Sequence, residues 1–402
     1  MPNLITGCTC VVCGGAAPLP RSAGTCPSCN DPFATLEINF DLDRVRASMT
    51  PDALASRPFN HWRYAELLPI EPDERAFAWP VGWTPILDSP RLAQWANAKR
   101  LRIKDEGRNH TGSFKDRASS VGVLRAMQAG DTTIACASTG NAASSCAGFA
   151  AIAGISATIF VPARAPMPKI AQLLIFGADV RRVRGTYAQA YDLCNSECDA
   201  HGWHNRNCAI NPYLVEGKKT CGLEIAEQIS SDLPDWIAIS VGDGCTIAGV
   251  AKGLTQMHEL GFIDRVPRIL GVQAEGVDPI AIAFEQGGNL PMDRTADTMA
   301  DSIDVPVPRN WRKAVNRVRD CNGAFVRVTN DEIAQAMQAA GAKAGVFCEP
   351  AAAASIAGVK RAIAEGIIEP TSSILAVSTG SGLKDVDSAI AVAGEPNEVD
   401  PL

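Results

Sequence analysis

The chain has 402 residues, 46% hydrophobic and 20% charged, long enough for two domains and an appendage with sizeable cores. Lys and Arg total 37 against 44 Asp and Glu, a net charge of -7, and no run of five basic residues occurs, which argues against nucleic acid as a main partner. No apolar stretch reaches the roughly 18 residues of a membrane span, and no basic segment with an apolar core opens the chain, so a cytoplasmic protein away from membranes is expected.

Five of the 14 cysteines lie in the first 29 residues. Cys10-Val11-Val12-Cys13 and Cys26-Pro27-Ser28-Cys29 are paired knuckles separated by 12 residues. Four thiolates so spaced suit a tetrahedral structural zinc in a ribbon too small to fold on its own core, with Cys8 left over as an alternate ligand. The other nine are scattered from Cys136 to Cys348, several in apolar runs, and are expected to be small, reduced, buried residues. Cys194 and Cys198, four apart in a predicted helix, raise a second metal site with Cys208 and Cys221, but the downstream spacing is irregular for one.

Asn109-His110-Thr111-Gly112-Ser113-Phe114-Lys115-Asp116-Arg117 places one lysine in a turn-forming run at the start of a predicted helix. A lysine walled in by apolar groups has a lowered pKa and can form a Schiff base with an aldehyde. A buried strand, Thr132 to Cys136, then runs into Ala137-Ser138-Thr139-Gly140-Asn141, and an Ala-rich helix leaves it. Backbone N–H groups and hydroxyls at a helix N-terminus suit a carboxylate, although an ordinary N-cap has the same composition. Further strands are expected at Ala157 to Val161 and Ile269 to Ala274, and a helix at Lys169 to Phe176.

Ile237 to Val241 is an apolar strand entering Gly242-Asp243-Gly244-Cys245-Thr246, with a helix behind it. Glycines let backbone wrap a phosphate on the helix dipole, and the carboxylate of Asp243 should point away from it. The third glycine of a dinucleotide loop and the Gly-Lys-Ser/Thr of a nucleotide loop are both missing. The polar, Pro-rich stretch from Gln286 to Pro308 reads as a long loop. A last apolar strand, Ser373 to Ser378, ends in Thr379-Gly380-Ser381-Gly382. Alternating strands and helices imply parallel sheets covered on both faces.

These segments together resemble the threonine synthases, within the fold type II family of pyridoxal-phosphate enzymes. The resemblance runs from Gly82-Trp83-Thr84-Pro85-Ile86, similar to that family's entry strand, through Glu216-Gly217-Lys218-Lys219-Thr220 and Phe347-Cys348-Glu349-Pro350, to Leu383-Lys384-Asp385. It implies two open parallel-sheet α/β domains plus an N-terminal zinc ribbon. The ribbon would span 1–40, the first part of the large domain 41–116, a small mobile domain 117–205, and the rest of the large domain 206–402. It implies that Lys115 carries pyridoxal 5'-phosphate and acts as general base at Cα. Phe114 and Asn141 would contact the cofactor ring, Gly242, Asp243, Gly244, Cys245 and Thr246 would cradle its phosphate, and Thr379 would bond the pyridine nitrogen. Ser138, Thr139 and Asn141 would hold the substrate carboxylate. A hydroxyl at the pyridine nitrogen favours elimination or replacement over transamination. A small amino acid is the implied substrate and a homodimer the implied assembly.

The resemblance thins at the substrate's far end. Where threonine synthases commonly place Thr, Ser and Arg around the phosphate of O-phosphohomoserine, this chain has Ala142, Ala209 and Leu214, and Ser381 replaces a usual His. Each lost charge-assisted hydrogen bond is worth roughly 1.5–3 kcal/mol. Lys169, Lys218 and Arg164 are the cations that could substitute. A threonine synthase-like lyase leads, followed by a threonine or serine ammonia-lyase, a β-replacement synthase resembling a cysteate synthase, and last a non-catalytic homologue.

Overall fold

The computed structural model describes residues 4–29, 31–165, 167–287, 289–291, 294 and 297–401. It holds three sheets. Strands β1 (Ile5–Cys10), β2 (Ala16–Ala17) and β3 (Leu36–Phe40) form an antiparallel ribbon in the order β2-β1-β3. Six strands build the largest sheet: β4 (Ile86–Asp88), β5 (Arg100–Asp105), β10 (Trp236–Ser240), β11 (Arg268–Ala274), β12 (Ala324–Val328) and β13 (Ser373–Ser378). A four-stranded sheet comes from β6 (Thr133–Ala137), β7 (Ser156–Pro162), β8 (Asp179–Val183) and β9 (His204–Asn205), all parallel, in the order β8-β7-β6-β9.

The six-stranded sheet runs β12-β11-β10-β13-β5-β4 and is parallel except at its β4 edge. Period-two alternation splits its residues between two cores. Ile237, Ile239, Leu375 and Val377 face the helices Tyr213–Gln228, Cys245–Glu259 and Trp311–Asp320. Ala238, Leu270, Ile374 and Ala376 face the Pro350–Ala364 helix on the other side. Burial on both faces is why these strands read as continuous apolar runs.

The expected strand over Gly82 to Ile86 is corrected: strand structure starts at Ile86. Gly82 (φ 80°) and Trp83 (φ 51°) are both left-handed, which breaks extended backbone, and Pro85 follows. The expected helix from Lys169 spans Met167–Ile175. The polar stretch Gln286 to Pro308 lies partly outside the described residues, and its described part holds a short helical turn at Asp301–Ile303. No described helix is long and apolar enough to cross a membrane.

Candidate active site

The order of the large sheet decides where chemistry can gather. From β10 the chain passes outward to β11 and β12, whereas β13 and β5 lie on the other flank of β10. The carboxyl ends of neighbouring strands therefore open into a crevice at this switch point. Gly242 to Thr246 follow β10, Thr379 to Gly382 follow β13, and the segment leading to Lys115 follows β5.

These loops are tied together by backbone. Phe114 N donates to Thr379 O at 2.8 Å, and Ser381 N donates to Gly112 O at 3.0 Å. Glu349 N donates to Gly380 O at 3.1 Å, adding the loop before the Pro350–Ala364 helix. The Asp116 carboxylate accepts from Thr111 N at 2.6 Å and Thr111 Oγ1 at 2.5 Å, fixing the turn. Lys115 is thereby set at the first position of the Lys115–Gln128 helix, behind a buried Phe114.

The Lys115 ammonium makes no hydrogen bond or ion pair with any described residue. Burial first, then the nearby Lys218 ammonium, lower its pKa to about 8, against the smaller opposing pull of Cys208 and Glu349. Two hydroxyls of these same segments, Ser113 Oγ in the lysine turn and Ser378 Oγ at the end of β13, are buried with no hydrogen-bond partner. Such orphans are costly in a folded chain and mark a place where a polar group belongs.

The four-stranded sheet faces this crevice with the loop after β6. Asn141, 7% exposed, opens the Asn141–Ala153 helix and donates to both Glu349 carboxylate oxygens at 2.9 Å. Burial pushes the Glu349 carboxyl up. Ser138 and Thr139 are half-buried in the same loop, and Ser138 Oγ accepts from Gly140 N at 3.2 Å. A cleft runs along Thr139, Asn141, Ser144, Lys169, Glu349 and Lys384. Lys384 Nζ donates to Ser144 Oγ at 2.9 Å and Gln172 Oε1 at 2.8 Å, and Lys169 pairs with Asp301 at 2.6 Å.

The loop after β10 requires glycine. Gly244 has φ 91°, and a Cβ there would come within 2.8 Å of Asn310 O. Asp243 turns its carboxylate onto Arg309 N at 2.8 Å and Asn310 Nδ2 at 2.9 Å, so the charge is taken up on the far loop. Backbone N–H groups at the start of the Cys245–Glu259 helix are left to meet an anion.

At the proposed far end, Leu214 is fully buried and packs on Gly122, where a Cβ would meet its Cδ2 at 2.8 Å. Ala142 and Ala209 are half-buried. Ser381 closes its own turn, its hydroxyl accepting from Leu383 N at 3.3 Å. Of the three substitute cations, Arg164 is exposed and Lys169 is taken by Asp301. Only Lys218 is buried beside Lys115.

In the ribbon, the Cys10, Cys13, Cys26 and Cys29 ligand atoms all lie within 4.8 Å of one another. Cys10 Sγ and Cys29 Sγ are 3.8 Å apart, the edge of a tetrahedron with arms of about 2.3 Å, the length of a zinc–thiolate bond. Cys8 turns its thiol to Ala17 O at 3.2 Å, outside this cluster. Cys194, Cys198, Cys208 and Cys221 do not converge as a second metal site among the described residues.

With this geometry in place the comparisons with known proteins are direct. Residues 79–380 match the model of the family described as pyridoxal-phosphate dependent enzyme, and the chain belongs to that family. Its fold is type II: a tomato threonine deaminase superposes with TM-score 0.66 at 23% identity, covering 77% of this chain and 86% of that one. A diaminopropionate ammonia lyase from Escherichia coli superposes with TM-score 0.67 at 18% identity, covering 81% and 94%. Within the family the chain is similar to threonine synthases. That of Methanocaldococcus jannaschii is 34% identical over 394 residues, 97% of this chain and 96% of the relative. That of Methanosarcina acetivorans is 35% identical over 393 residues, 97% and 95%.

Glu349 and Ser378 are the site groups the sequence reading assigned no role, while the sequence offers Lys218 only as a substitute phosphate cation and Cys208 only as a candidate metal ligand. Lys218 and Glu349 both sat inside quoted motifs. For Ser378 no local signal existed.

Proposed function

We propose that this pyridoxal-phosphate-dependent enzyme performs elimination or replacement at the β or γ carbon of a small amino acid whose departing group carries less charge than a phosphate dianion. The observation that carries the chemistry is Lys115, half-buried and without a hydrogen-bond or ion-pair partner among the described residues where these loops meet. Pyridoxal 5'-phosphate, when bound, supplies the sink for electrons released at Cα. Lys115 holds that group and then takes and returns the Cα proton, for which an amine with a pKa of about 8 suits neutral pH. Phe114 and Asn141 position the ring, and the N–H groups of Gly242 to Thr246 hold its phosphate. Thr379 offers its hydroxyl to the pyridine nitrogen, while the orphaned Ser378 and Ser113 hydroxyls fit further polar atoms of the same group. Ser138, Thr139 and Asn141 bind the substrate carboxylate.

The substrate reading follows from the far end. Ala142 and Ala209 offer no hydroxyl, Leu214 no guanidinium, and the charge of Lys218 is matched by Cys208. The long similarity to threonine synthases favours a second reading, O-phosphohomoserine itself, with Lys218 taking the phosphate. A panel of O-phosphohomoserine, O-acetylhomoserine, O-phosphoserine, threonine and serine, followed through the cofactor's absorbance and product analysis, separates them. Faster turnover of O-phosphohomoserine than of every uncharged analogue would reject the first reading.

The ribbon site fits one structural Zn2+ held by four thiolates. A cytoplasmic location suits a chain whose 14 cysteines are all free, and a homodimer is the proposed assembly. The segment 117–205 is proposed as the mobile unit. Lys169–Asp301 and Lys384–Ser144 are contacts its opening would break.

A further inference from the structure

Beside Lys115 lies a second reactive group. Gly217 packs so tightly on the Lys115–Gln128 helix that a Cβ would come within 2.1 Å of Arg117 O. On its other side the Tyr213–Gln228 helix meets Gly249 of the Cys245–Glu259 helix, where a Cβ would lie 3.0 Å from Lys218 Cβ. Lys218 is therefore clamped where the lysine helix and the phosphate-loop helix meet. Its Nζ donates to Cys208 Sγ at 2.9 Å. Cys245 Sγ lies 3.6 Å from Cys208 O and 3.0 Å from Asp243 Oδ2. No carboxylate pairs with Lys218 among the described residues, so the thiol is its counter-ion.

We propose that Cys208 and Lys218 form a part-buried thiolate–ammonium pair that sets the proton affinity of Lys115. The inference rests on the reading of Lys115 as the cofactor-bearing lysine and adds two positioning residues to it. The physical case is charge balance. Lys218 alone would repel a proton from Lys115, and a thiolate at 2.9 Å cancels much of that field. The surrounding ionisable groups agree. The Cys208 thiol is held well below its ordinary value by the Cys245 hydrogen bond, then by Lys218 and Arg206, against the cost of burial. Lys218 is held above its ordinary value by Cys208 and Cys245, although burial opposes it. Around Lys115 the facing charges are Lys218, Cys208, Glu349 and Arg206, and Arg206 also faces Cys136 and Cys245. The Arg206 guanidinium hydrogen-bonds only Ser119 Oγ, at 3.1 and 3.0 Å, among the described residues. The pocket therefore holds more cations than anions, and Cys208 is the anion next to Lys218.

The test is a titration cycle on holoenzyme, reading the pH midpoint of the cofactor's visible absorbance change. Cys208→Ser leaves Lys218 uncompensated and should lower the midpoint by about half a unit or more. In a Lys218→Gln background the cation that Cys208 offsets is gone, so Cys208→Ser should move the midpoint clearly less than in wild type. Cys208→Asp restores an anion and should bring the midpoint back toward wild type. Equal shifts in both backgrounds, or no shift in either, overturn the proposal. A second measurement needs no cofactor: alkylation of apo-protein by iodoacetamide across pH, with peptide mapping. Cys208 should react with a midpoint well below the ordinary 9.0 of a thiol, and Lys218→Gln should raise it. Reaction only near 9.0, or none, overturns the thiolate. A wild-type holoenzyme with no reducible band on Lys115 would defeat the parent reading instead, and the alkylation result would still decide the pair.

Discussion

Lys115 and Arg117 stand two residues apart on one helix, Arg117 fully buried and Lys115 half-buried. Their surroundings differ completely. The Arg117 guanidinium bonds Glu106 through Nε and a terminal nitrogen, both at 2.7 Å, and bonds Glu224 at 2.8 Å. Lys104 adds a second cation on Glu224 at 2.5 Å, and Thr84 reaches both acids, with N on Glu224 and Oγ1 on Glu106, each at 2.7 Å. Two cations meet two carboxylates, every group fully buried. Lys115 has no hydrogen-bonded carboxylate among the described residues; Lys218, Cys208, Glu349 and Arg206 act on it only from a distance. Burial with full pairing fixes a structure. Burial without it leaves a group whose proton is cheap to remove, which is what chemistry needs.

The largest effect should come from the unpaired member. Lys115→Ala should leave no borohydride-reducible band before substrate is added and should lower turnover at least about 10²–10⁴-fold, the usual share of a general base. Retention of that band would reassign the cofactor lysine. The same change should leave unfolding free energy unchanged or higher, because it removes a half-buried charge with no hydrogen-bond or ion-pair partner among the described residues. Arg117→Met inverts the pattern. It strands Glu106, leaves Glu224 with Lys104 alone, and should cost about 3–5 kcal/mol in denaturant unfolding. If Lys115→Ala proves the more destabilising of the two, the contrast between the residues is false.

The ribbon offers the next test. One zinc per chain should copurify, and Cys10→Ser with Cys26→Ser should abolish it by metal analysis. Because Lys252 Nζ donates to Ile38 O at 2.6 Å and Lys313 Nζ to Leu36 O at 2.5 Å, loss of the ribbon exposes lysines of the large sheet's helices. The melting temperature should fall with metal content while the substrate preference holds.

A smaller effect is expected at the far end of the site. Ala142→Thr with Ala209→Ser should raise kcat/KM for O-phosphohomoserine, each new hydrogen bond contributing about 0.5–1.5 kcal/mol. Adding Leu214→Arg should destabilise the protein, because Leu214 is fully buried against Gly122. Unchanged phosphohomoserine kinetics in the double variant would remove Ala142 and Ala209 from the pocket.

What was legible in the sequence follows from range. The lysine turn, the loop after β6, the glycine loop after β10 and the end of β13 are each continuous segments with their own composition, and all four converge in the structure. The knuckle cysteines were readable for the same reason. The Arg117 network was not, since Glu106 and Glu224 lie 118 residues apart and look like ordinary surface acids until the fold joins them. The antiparallel β4 edge and the loss of strand at Gly82 and Trp83 depend on left-handed backbone that only Gly82 announces. Cys208 read as one more scattered cysteine because its partner, ten residues on, meets it only through the turn between them.

The smallest effect separates ribbon from core by acid. Glu37 of β3 pairs with Arg317 and lies 3.5 Å from Lys252. Burial works to raise its pKa, but Lys252 and Arg317 together bring it down to about 2. A carboxyl with a depressed folded-state pKa adds stability that is present above its unfolded value, 4.5, and is lost as pH falls toward 2. Glu224 also sits near 2, so the wild-type acid limb mixes ribbon and core. Subtracting Glu37→Gln from wild type isolates the ribbon. The stability difference should be full above pH 4.5 and should shrink toward zero near pH 2, read from denaturant midpoints across that window. A difference that stays constant with pH would mean that Glu37 acts through shape alone, and the charge link between the ribbon and the Trp311–Asp320 helix would be lost with it.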